Sequence, residues 1–285
     1  MGKGSVLRQC MKGGMVTAPF VNEGYGARLA QQAGFKAIYL TGFGSAAAYG
    51  IPDVGLLTYK EMTEKLSTLA EACELPIIAD ADTGYGGHGN VYRTVRGYER
   101  AGAAALHLED QVWPKRCGYM ADKQVIDRKE AASKIKAAVD ARMGEDLIII
   151  ARTDSLAVHG WDEVEERLYL FLEAGADMVF VDGIKTKEQL SEYGKRFSHL
   201  PAVINNVPLF TAQDIKEAGD FKIQLHAGPF TSQLLKYMEQ MDELARTGNC
   251  TIDYDQAEGF ERIVEVMGAR FYLEMEKRYA GQKYV

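Results

Sequence analysis

Three acidic residues follow two successive apolar runs of this sequence. Asp80 and Asp82 come just after the run at residues 76–79, and Glu109 follows the run at 104–108. If the two runs are neighbouring strands, these carboxylates converge and repel one another unless a cation lies among them. Ligands that are all oxygen atoms favour a hard cation, so the pattern predicts Mg²⁺, or Mn²⁺, bound by these three side chains.

Each of these acids has a simpler explanation when it is taken alone. Asp82 could cap the following turn together with Thr83, and Glu109 could pair with Arg152. We favour the metal because three acids gather at the ends of two strands, which local capping does not require.

A thiol lies between two cations in the polar segment after Glu109. Lys115, Arg116, Cys117 and Gly118 are consecutive. Neighbouring positive charges favour the thiolate, so we predict that the pKa of Cys117 is lowered and that this thiol is a general acid, a general base or a nucleophile. A polar loop of this kind at a barrel mouth is typical of a lid that excludes water. The remaining cysteines are expected to be ordinary apolar side chains: Cys10, Cys73 and Cys250.

Eight short runs rich in Val, Ile and Ala recur along the chain, separated by segments with helical periodicity. We predict strands at 15–18, 37–40, 76–79, 104–108, 147–151, 178–181, 202–204 and 222–225. Ala-Gly pairs before several of these runs would end the helices. The alternation predicts the α/β class, a (β/α)8 TIM barrel that forms a single domain over residues 1–285.

Polar residues follow nearly every predicted strand. Active-site residues of such barrels lie at the C-terminal ends of the strands. The residues concerned are Thr41, Gly42, Asp80, Glu109, Arg152, Asp182, Asn205 and His226. One such residue could be a helix cap, but a complete ring favours an enzyme site over structural capping.

Residues 229–285 are predicted to form a C-terminal helical segment, with helices at 229–243 and 256–279. The second helix is longer than a barrel needs for closure. Its apolar residues could pack on this barrel or on a second copy of the chain, and the sequence alone does not choose between them.

Composition limits the classes of function. The 285 residues include 33 basic and 40 acidic side chains, a formal charge of -7, with no block of lysine or arginine. This balance argues against a nucleic-acid surface and a polybasic membrane patch. No apolar run approaches the ~18 residues that span a bilayer. Because there is no C-x-x-C pair and no pattern of a signal peptide, we expect a cytoplasmic protein whose partners are small molecules and its own copies.

Two segments together resemble the isocitrate lyase and phosphoenolpyruvate mutase superfamily: residues 79–87 and 109–118. The resemblance continues at residues 39–42, 51–53, 151–154 and 174–180. The Lys-Arg-Cys-Gly sequence at 115–118 is similar to the lyase branch, which includes 2-methylisocitrate lyase, dimethylmalate lyase and oxaloacetate hydrolase. The mutase branch lacks that cysteine.

This resemblance implies a barrel whose last helices are exchanged between subunits of a homotetramer. It also implies that Asp80 and Asp82 hold Mg²⁺ largely through waters. The candidate substrate-binding residues are Thr41, Gly42, Phe43, Asp53, Arg116, Gly118, Tyr119, Arg152, Asp182 and Asn205.

The resulting hypothesis is a Mg²⁺-dependent, retro-aldol type cleavage of a 2-hydroxy di- or tricarboxylate, similar to 2-methylisocitrate or dimethylmalate. The products are an α-keto acid and a carboxylate. Arg152 stabilises the developing charge, and Cys117 protonates the carbanion. Tyr39 is the candidate base, and Lys115 completes the catalytic set.

Three alternatives stay open. The same metal and thiol could hydrolyse oxaloacetate, or the site could be a phosphonate-type mutase or hydrolase. A non-catalytic ligand-binding barrel is the third. It draws support from Tyr119 where the lyase motif has histidine, and from a shorter segment after Asn205. Asp182, where the family has glutamate, is a further departure from the family pattern.

Overall fold

Eight parallel strands close into a barrel in which each strand pairs with its neighbours in chain order. The computed structural model describes residues 2–251 and 256–280. The strands are β1 Val16–Val21, β2 Ile38–Leu40, β3 Ile77–Asp80, β4 Ala105–Glu109, β5 Ile148–Thr153, β6 Met178–Val181, β7 Ala202–Asn206 and β8 Ile223–His226. The predicted (β/α)8 TIM barrel and its eight strands are confirmed.

The strands are continuous apolar runs because both of their faces are covered. One cluster of buried side chains, which includes Ile77 and Ile149, packs between the strands and the surrounding helices. A second cluster, which includes Ile78, Ile150 and Phe180, fills the barrel interior. The core therefore has two layers, one on each side of the sheet.

Helices alternate with the strands and cover the outside of the barrel. They are α1 Lys3–Lys12, α2 Gly24–Gln32, α3 Gly42–Ala48, α4 Tyr59–Ala72, α5 His88–Arg100, α6 Arg128–Ala141, α7 Leu156–His159, α8 Trp161–Glu173, α9 Lys187–Phe197, α10 Ala212–Ala218, α11 Gly228–Thr247, α12 Gln256–Val266 and α13 Ala269–Tyr279. Gly34 and Gly102, in the predicted Ala-Gly stops, have φ angles of 82° and 102°, a conformation that ends a helix at little cost for glycine. Within the described ranges, no helix has the length and apolar character needed to cross a membrane.

Several strands extend further toward their C-terminal ends than the apolar runs predict. β3 includes Asp80, β4 includes Glu109, and β5 includes Arg152 and Thr153. Glu109 lies opposite Arg152 in the ladder between β4 and β5. The apolar runs end early because side chains at this edge line a polar site, whereas backbone pairing continues. These charged residues are therefore held by the sheet itself.

The C-terminal helices differ from the prediction. The continuous helix expected at 256–279 is wrong, because α12 ends at Val266 and α13 begins at Ala269. Gly268 between them has a φ of 77°, a left-handed conformation that interrupts the helix. Residues 252–255 and 281–285 of the predicted C-terminal segment lie outside the described residues.

α11 leaves most of its surface uncovered. Phe230 at its start is buried, but Leu235, Tyr237, Met238 and Met241 further along are exposed. α12 packs against α2 of the same chain. The exchange of these helices between subunits stays a prediction.

Candidate active site

A cavity of about 470 Å³ lies at the C-terminal edge of the barrel. It is lined by most of the residues that the sequence predicts: Tyr39, Thr41, Phe43, Asp53, Asp80, Lys115, Cys117, Gly118, Tyr119, Arg152, Asp182 and Asn205. The strand ends bring these residues together from distant parts of the chain, as the barrel prediction requires.

Asp80 is fixed by three hydrogen-bond donors. The Tyr39 hydroxyl donates to Oδ2 at 3.2 Å, and the backbone N–H of Gly42 donates to the same atom at 3.3 Å. The N–H of Asp82 donates to Oδ1 at 3.0 Å. This last bond stabilises Asp82 at a φ of 46°, an uncommon conformation for a residue with a side chain. The two predicted metal ligands are thus locked relative to each other.

Lys115 supplies a buried positive charge to this group of acids. Its ammonium lies 2.8 Å from Asp82 Oδ1 and also contacts Asp53 Oδ1. Burial alone would lower the pKa of Lys115, but Asp82, Glu109 and the other acids raise it well above its usual value. Lys115 therefore stays protonated and acts as a fixed cation rather than as a base.

Glu109, the third predicted metal ligand, forms an ion pair with arginine. Its Oε2 lies 3.1 Å from Arg152 Nη2. In the part of the chain that the structure describes, no three His, Cys, Asp or Glu side chains form a metal-binding group. Lys115 and Arg152 relieve the repulsion among the acids, which is the simpler explanation considered above for Glu109. Its role as a third metal ligand stays a prediction.

The chemistry of the remaining donors still fits magnesium. Mg²⁺ commonly takes only one or two protein carboxylates and completes its octahedron with waters and substrate oxygens. Asp80 and Asp82 are buried carboxylates beside the cavity. Burial and the charge of Asp80 raise the pKa of Asp82, even though Lys115 opposes this, so a further cation beside the pair is electrostatically favourable.

Arg152 connects the carboxylates at the ends of three strands. Its Nε donates to Asp154 Oδ2 at 2.9 Å, and its Nη2 donates to Asp182 Oδ2 at 3.1 Å. Nη2 also pairs with Glu109. Within the described ranges, the hydrogen bonds and ion pairs of the guanidinium use Nε and Nη2, which leaves the N–H groups of Nη1 for a ligand.

The remaining predicted substrate-binding residues lie in two groups. Thr41 Oγ1 accepts a hydrogen bond from the Gly44 N–H at 3.3 Å and so caps α3, beside Phe43 at the rim of the cavity. Asn205 donates from Nδ2 to Asp182 Oδ1 at 3.2 Å. Asp182, which is one methylene group shorter than glutamate, is thus held between Arg152 and Asn205.

The side chain of Arg116 lies away from the cavity, which corrects its predicted substrate contact. Nη1 donates to the backbone oxygen of Ala121 at 2.9 Å, and the side chain is 45% exposed. Lys115 and Cys117 on either side of it line the cavity, whereas Arg116 does not.

The prediction of a lowered thiol pKa is also corrected. Burial, followed by the charge of Asp53, raises the pKa of Cys117 to about 11. The cations on either side do not offset this, because Lys115 is paired with acids and Arg116 points outward. Cys117 is therefore a protonated thiol at neutral pH, the form that a general acid needs.

The raised pKa predicts how Cys117 reacts with iodoacetamide. Only the thiolate reacts, so its alkylation rate should rise about tenfold per pH unit from pH 7 to pH 10, whereas an ordinary thiol levels off above its pKa of about 8.5. Mass spectrometry of the Cys117 peptide measures the rate at each pH. A plateau near pH 8 would contradict the raised pKa.

The surroundings of Tyr39 do not suit the base that the sequence suggests. Its hydroxyl lies 2.8 Å from His107 Nε2 and donates to Asp80. Burial and the negative charge of Asp80 raise the pKa of Tyr39 well above its usual value. The tyrosinate is strongly disfavoured, so Tyr39 is better suited to orient Asp80.

Sequence reasoning missed an apolar part of the cavity wall and a buried lysine. The apolar residues are Phe20, Val207, Pro208, Leu209 and Ala227. Apolar residues that follow a strand carry no distinctive signal in the sequence. The buried lysine is Lys123, which pairs with Asp154. No spacing in the sequence indicates that contact.

Comparison with known proteins identifies the family of this chain. The phosphoenolpyruvate phosphomutase family profile matches residues 7–245. The 2,3-dimethylmalate lyase of Eubacterium barkeri is 43% identical over 206 residues, which cover 72% of this chain and 68% of that protein. The 2-methylisocitrate lyase of Aeropyrum pernix is 40% identical over 283 residues, covering 97% of this chain and 90% of that protein.

Solved structures show the same similarity. A complex of oxaloacetate acetylhydrolase with 3,3-difluorooxalacetate has a TM-score of 0.90 and 32% identity, covering 99% of both chains. Phosphonopyruvate hydrolase with oxalate and Mg²⁺ has a TM-score of 0.87 and 29% identity, covering 98% of this chain and 100% of that chain. The chain is a carbon–carbon lyase, like its relatives from Eubacterium barkeri and Aeropyrum pernix. It belongs to the phosphoenolpyruvate mutase and isocitrate lyase superfamily.

Proposed function

We propose that this lyase cleaves the C2–C3 bond of a 2-hydroxy dicarboxylate with an apolar substituent at C3, in a Mg²⁺-dependent reaction. The products are an α-keto acid and a monocarboxylate. One observation carries the proposal: a protonated thiol, a buried arginine and an apolar surface line one cavity, from Cys117, Arg152 and Val207 to Leu209.

Each part of the cavity has a role in this reaction. Bound by Asp80 and Asp82, Mg²⁺ would lower the pKa of the substrate hydroxyl and stabilise its oxygen. The free N–H groups of Arg152 Nη1 bind the carboxylate in which negative charge develops. The substrate hydroxyl loses its proton to solvent, the C2–C3 bond breaks as the C2 carbonyl forms, and Cys117 transfers its thiol proton to the carbanion at C3. The Cys117 thiolate then regains a proton from solvent. Asp53 and Lys115 hold the acids in place.

The apolar wall favours a dicarboxylate over a tricarboxylate. Among the described residues that line the cavity, the permanently charged cations are Lys115 and Arg152, and both already contact carboxylates. A third substrate carboxylate would be desolvated beside Val207 and Leu209 without a counter-charge, which is costly. A methyl group would instead gain from burial there.

A substrate comparison tests the proposal. Purified protein with Mg²⁺ is incubated separately with 2,3-dimethylmalate, citramalate, 2-methylisocitrate, isocitrate and oxaloacetate, and products are identified by mass. We expect pyruvate and propionate from dimethylmalate, with kcat/KM about 10²–10³-fold above that for 2-methylisocitrate, because the latter leaves a charge unpaired. EDTA should abolish turnover, and added Mg²⁺ should restore it.

Two results would contradict the proposal. A preference for 2-methylisocitrate would show that a third carboxylate is accommodated. Oxalate and acetate released only from oxaloacetate would instead favour the hydrolase, the second candidate, which the similarity to oxaloacetate acetylhydrolase over 99% of both chains supports. The mutase alternative has less support because Cys117 lines the cavity.

We also propose that the exposed apolar residues of α11 are covered in a homotetramer through exchanged helices. Four large apolar side chains on one helix, from Leu235 to Met241, form a surface that a monomer would leave in water. Light scattering of the purified protein tests the assembly. A cytoplasmic location stays a prediction from the sequence.

A further inference from the structure

Lys123 is a buried lysine near the end of the loop that carries Cys117. Its side chain is 2% exposed, and its ammonium donates to Gly118 O at 2.8 Å and to Asp154 Oδ1 at 2.7 Å. Lysine is rarely buried unless it is paired, so this placement needs an explanation. Lys123 does not line the cavity, and it therefore acts only through the residues that it contacts.

The hydrogen bond from Lys123 to Gly118 O holds the loop backbone directly against Arg152 and Asp182. A Cβ atom placed on Gly118 would lie 1.7 Å from Asp182 Oδ2 and 2.9 Å from Arg152 Nη2. The loop therefore lies against the Arg152–Asp182 pair as closely as a glycine permits. By accepting from Lys123, the Gly118 carbonyl keeps the loop in this position, with Cys117 on the adjacent residue.

The second contact balances the charge around Arg152. Asp154 receives hydrogen bonds from both Arg152 and Lys123. Burial alone would raise the pKa of Asp154, but these two cations lower it. Without Lys123, Asp154 would depend on Arg152 alone, and Arg152 would be drawn away from Asp182 and the substrate.

We propose that Lys123 is a positioning residue that couples the location of Cys117 to the orientation of Arg152. Its single ammonium joins the loop to the end of β5, so the proton donor and the carboxylate-binding group are set together. A displacement of about 1 Å in either group is enough to lower the rate about 10²-fold.

The test compares three variants with the parent. Lys123→Met removes the ammonium and keeps a side chain of similar length, whereas Lys123→Arg keeps the positive charge and its donors. Lys185→Met is the matched control, because Lys185 also donates to a loop carbonyl, Tyr119 O at 3.4 Å, but is exposed. An exposed contact of this kind contributes little.

Two measurements are made on each variant. The first is kcat/KM, for which Lys123→Met should lose about 100-fold while Lys185→Met stays close to the parent. The second is the rate of iodoacetamide alkylation of Cys117, relative to the exposed Cys250 of the same chain. Lys123→Met should speed this reaction about tenfold, because the loop opens more often. Lys123→Arg should lie nearer the parent in both measurements.

The alkylation rate separates loop position from electrostatics. Removing a positive charge would raise the thiol pKa and slow alkylation. Faster alkylation therefore reports exposure. It also needs no substrate, so it tests the role of Lys123 even if the proposed lyase reaction fails.

Unchanged alkylation of Cys117 in Lys123→Met would overturn the proposal, as would an equal effect in Lys185→Met. If Lys123→Met does not fold, as judged by circular dichroism, Lys123→Gln replaces it. Glutamine is one atom shorter than lysine and carries no charge, so its amide does not hold Gly118 O and Asp154 Oδ1 together. Faster alkylation in that variant supports the role, and a rate equal to the parent contradicts it.

Discussion

Replacing Cys117 by serine is expected to lower kcat by about 10²–10⁴-fold, the usual contribution of a positioned proton donor. Serine has nearly the same size, so the cavity and its charges are preserved. Its hydroxyl is a much weaker acid than a thiol, and it protonates a carbanion poorly. KM should change little, because the substrate is held by other groups. Steady-state kinetics with the preferred substrate measures both constants.

The control for this experiment is Cys250→Ser, because Cys250 is an exposed cysteine of the same chain. It should retain the parent kcat, and both variants should show the parent circular dichroism spectrum. Full turnover by Cys117→Ser would exclude Cys117 as the proton donor. The apolar wall and Arg152 would then explain binding, but another group would have to protonate the product.

Replacing Arg152 by methionine should lower the free energy of unfolding by about 3–5 kcal/mol, because it leaves buried charges uncompensated. Asp154, Asp182 and Glu109 all contact this guanidinium, which is 8% exposed. Activity should fall by about 10³-fold as well, since the group that stabilises the developing carboxylate charge is lost. Urea unfolding of the two proteins gives the change in stability.

A double variant identifies the cause of that loss. Glu109→Gln replaces a carboxylate with an amide of the same shape, which needs no positive partner. Arg152→Met with Glu109→Gln should therefore lose less stability than the sum of the single variants. Arg196→Met is the surface control, because its side chain is 32% exposed and its ion pair with Asp162 lies at the surface, and its unfolding midpoint should stay close to the parent. Additive losses at Arg152 and Glu109 would contradict a shared charge cluster.

The sequence indicated where the site is and one of its possible ion pairs, Glu109 with Arg152, but not how its other charges are paired. It correctly predicts eight strands, because each is a local run of Val, Ile and Ala that needs no knowledge of distant residues. It also predicts that Asp80, Lys115 and Arg152 lie at the C-terminal edge of the barrel, because polar residues that follow parallel strands meet there. The ion pair between Lys115 and Asp53 could not be predicted, because 62 residues separate the two in the chain.

One error could have been avoided from the sequence. Gly268 lies inside the segment that we predicted as one helix, and glycine commonly ends a helix. The apolar periodicity on both sides of it masked this signal. The structure places that glycine in a left-handed conformation, and the helix ends there.

The barrel, the ring of polar residues at the strand ends, and the presence of a thiol among them can all be deduced from the amino-acid sequence. These features follow from local runs and from the order of residues along the chain. The three-dimensional structure was needed to show that Lys115 faces the acids while Arg116 faces outward. It was also needed to show that Cys117 keeps its proton and that Lys123 joins the loop to Asp154. The reason is physical: a pKa or an ion pair depends on distances through space and on burial, and neither is a property of residue spacing.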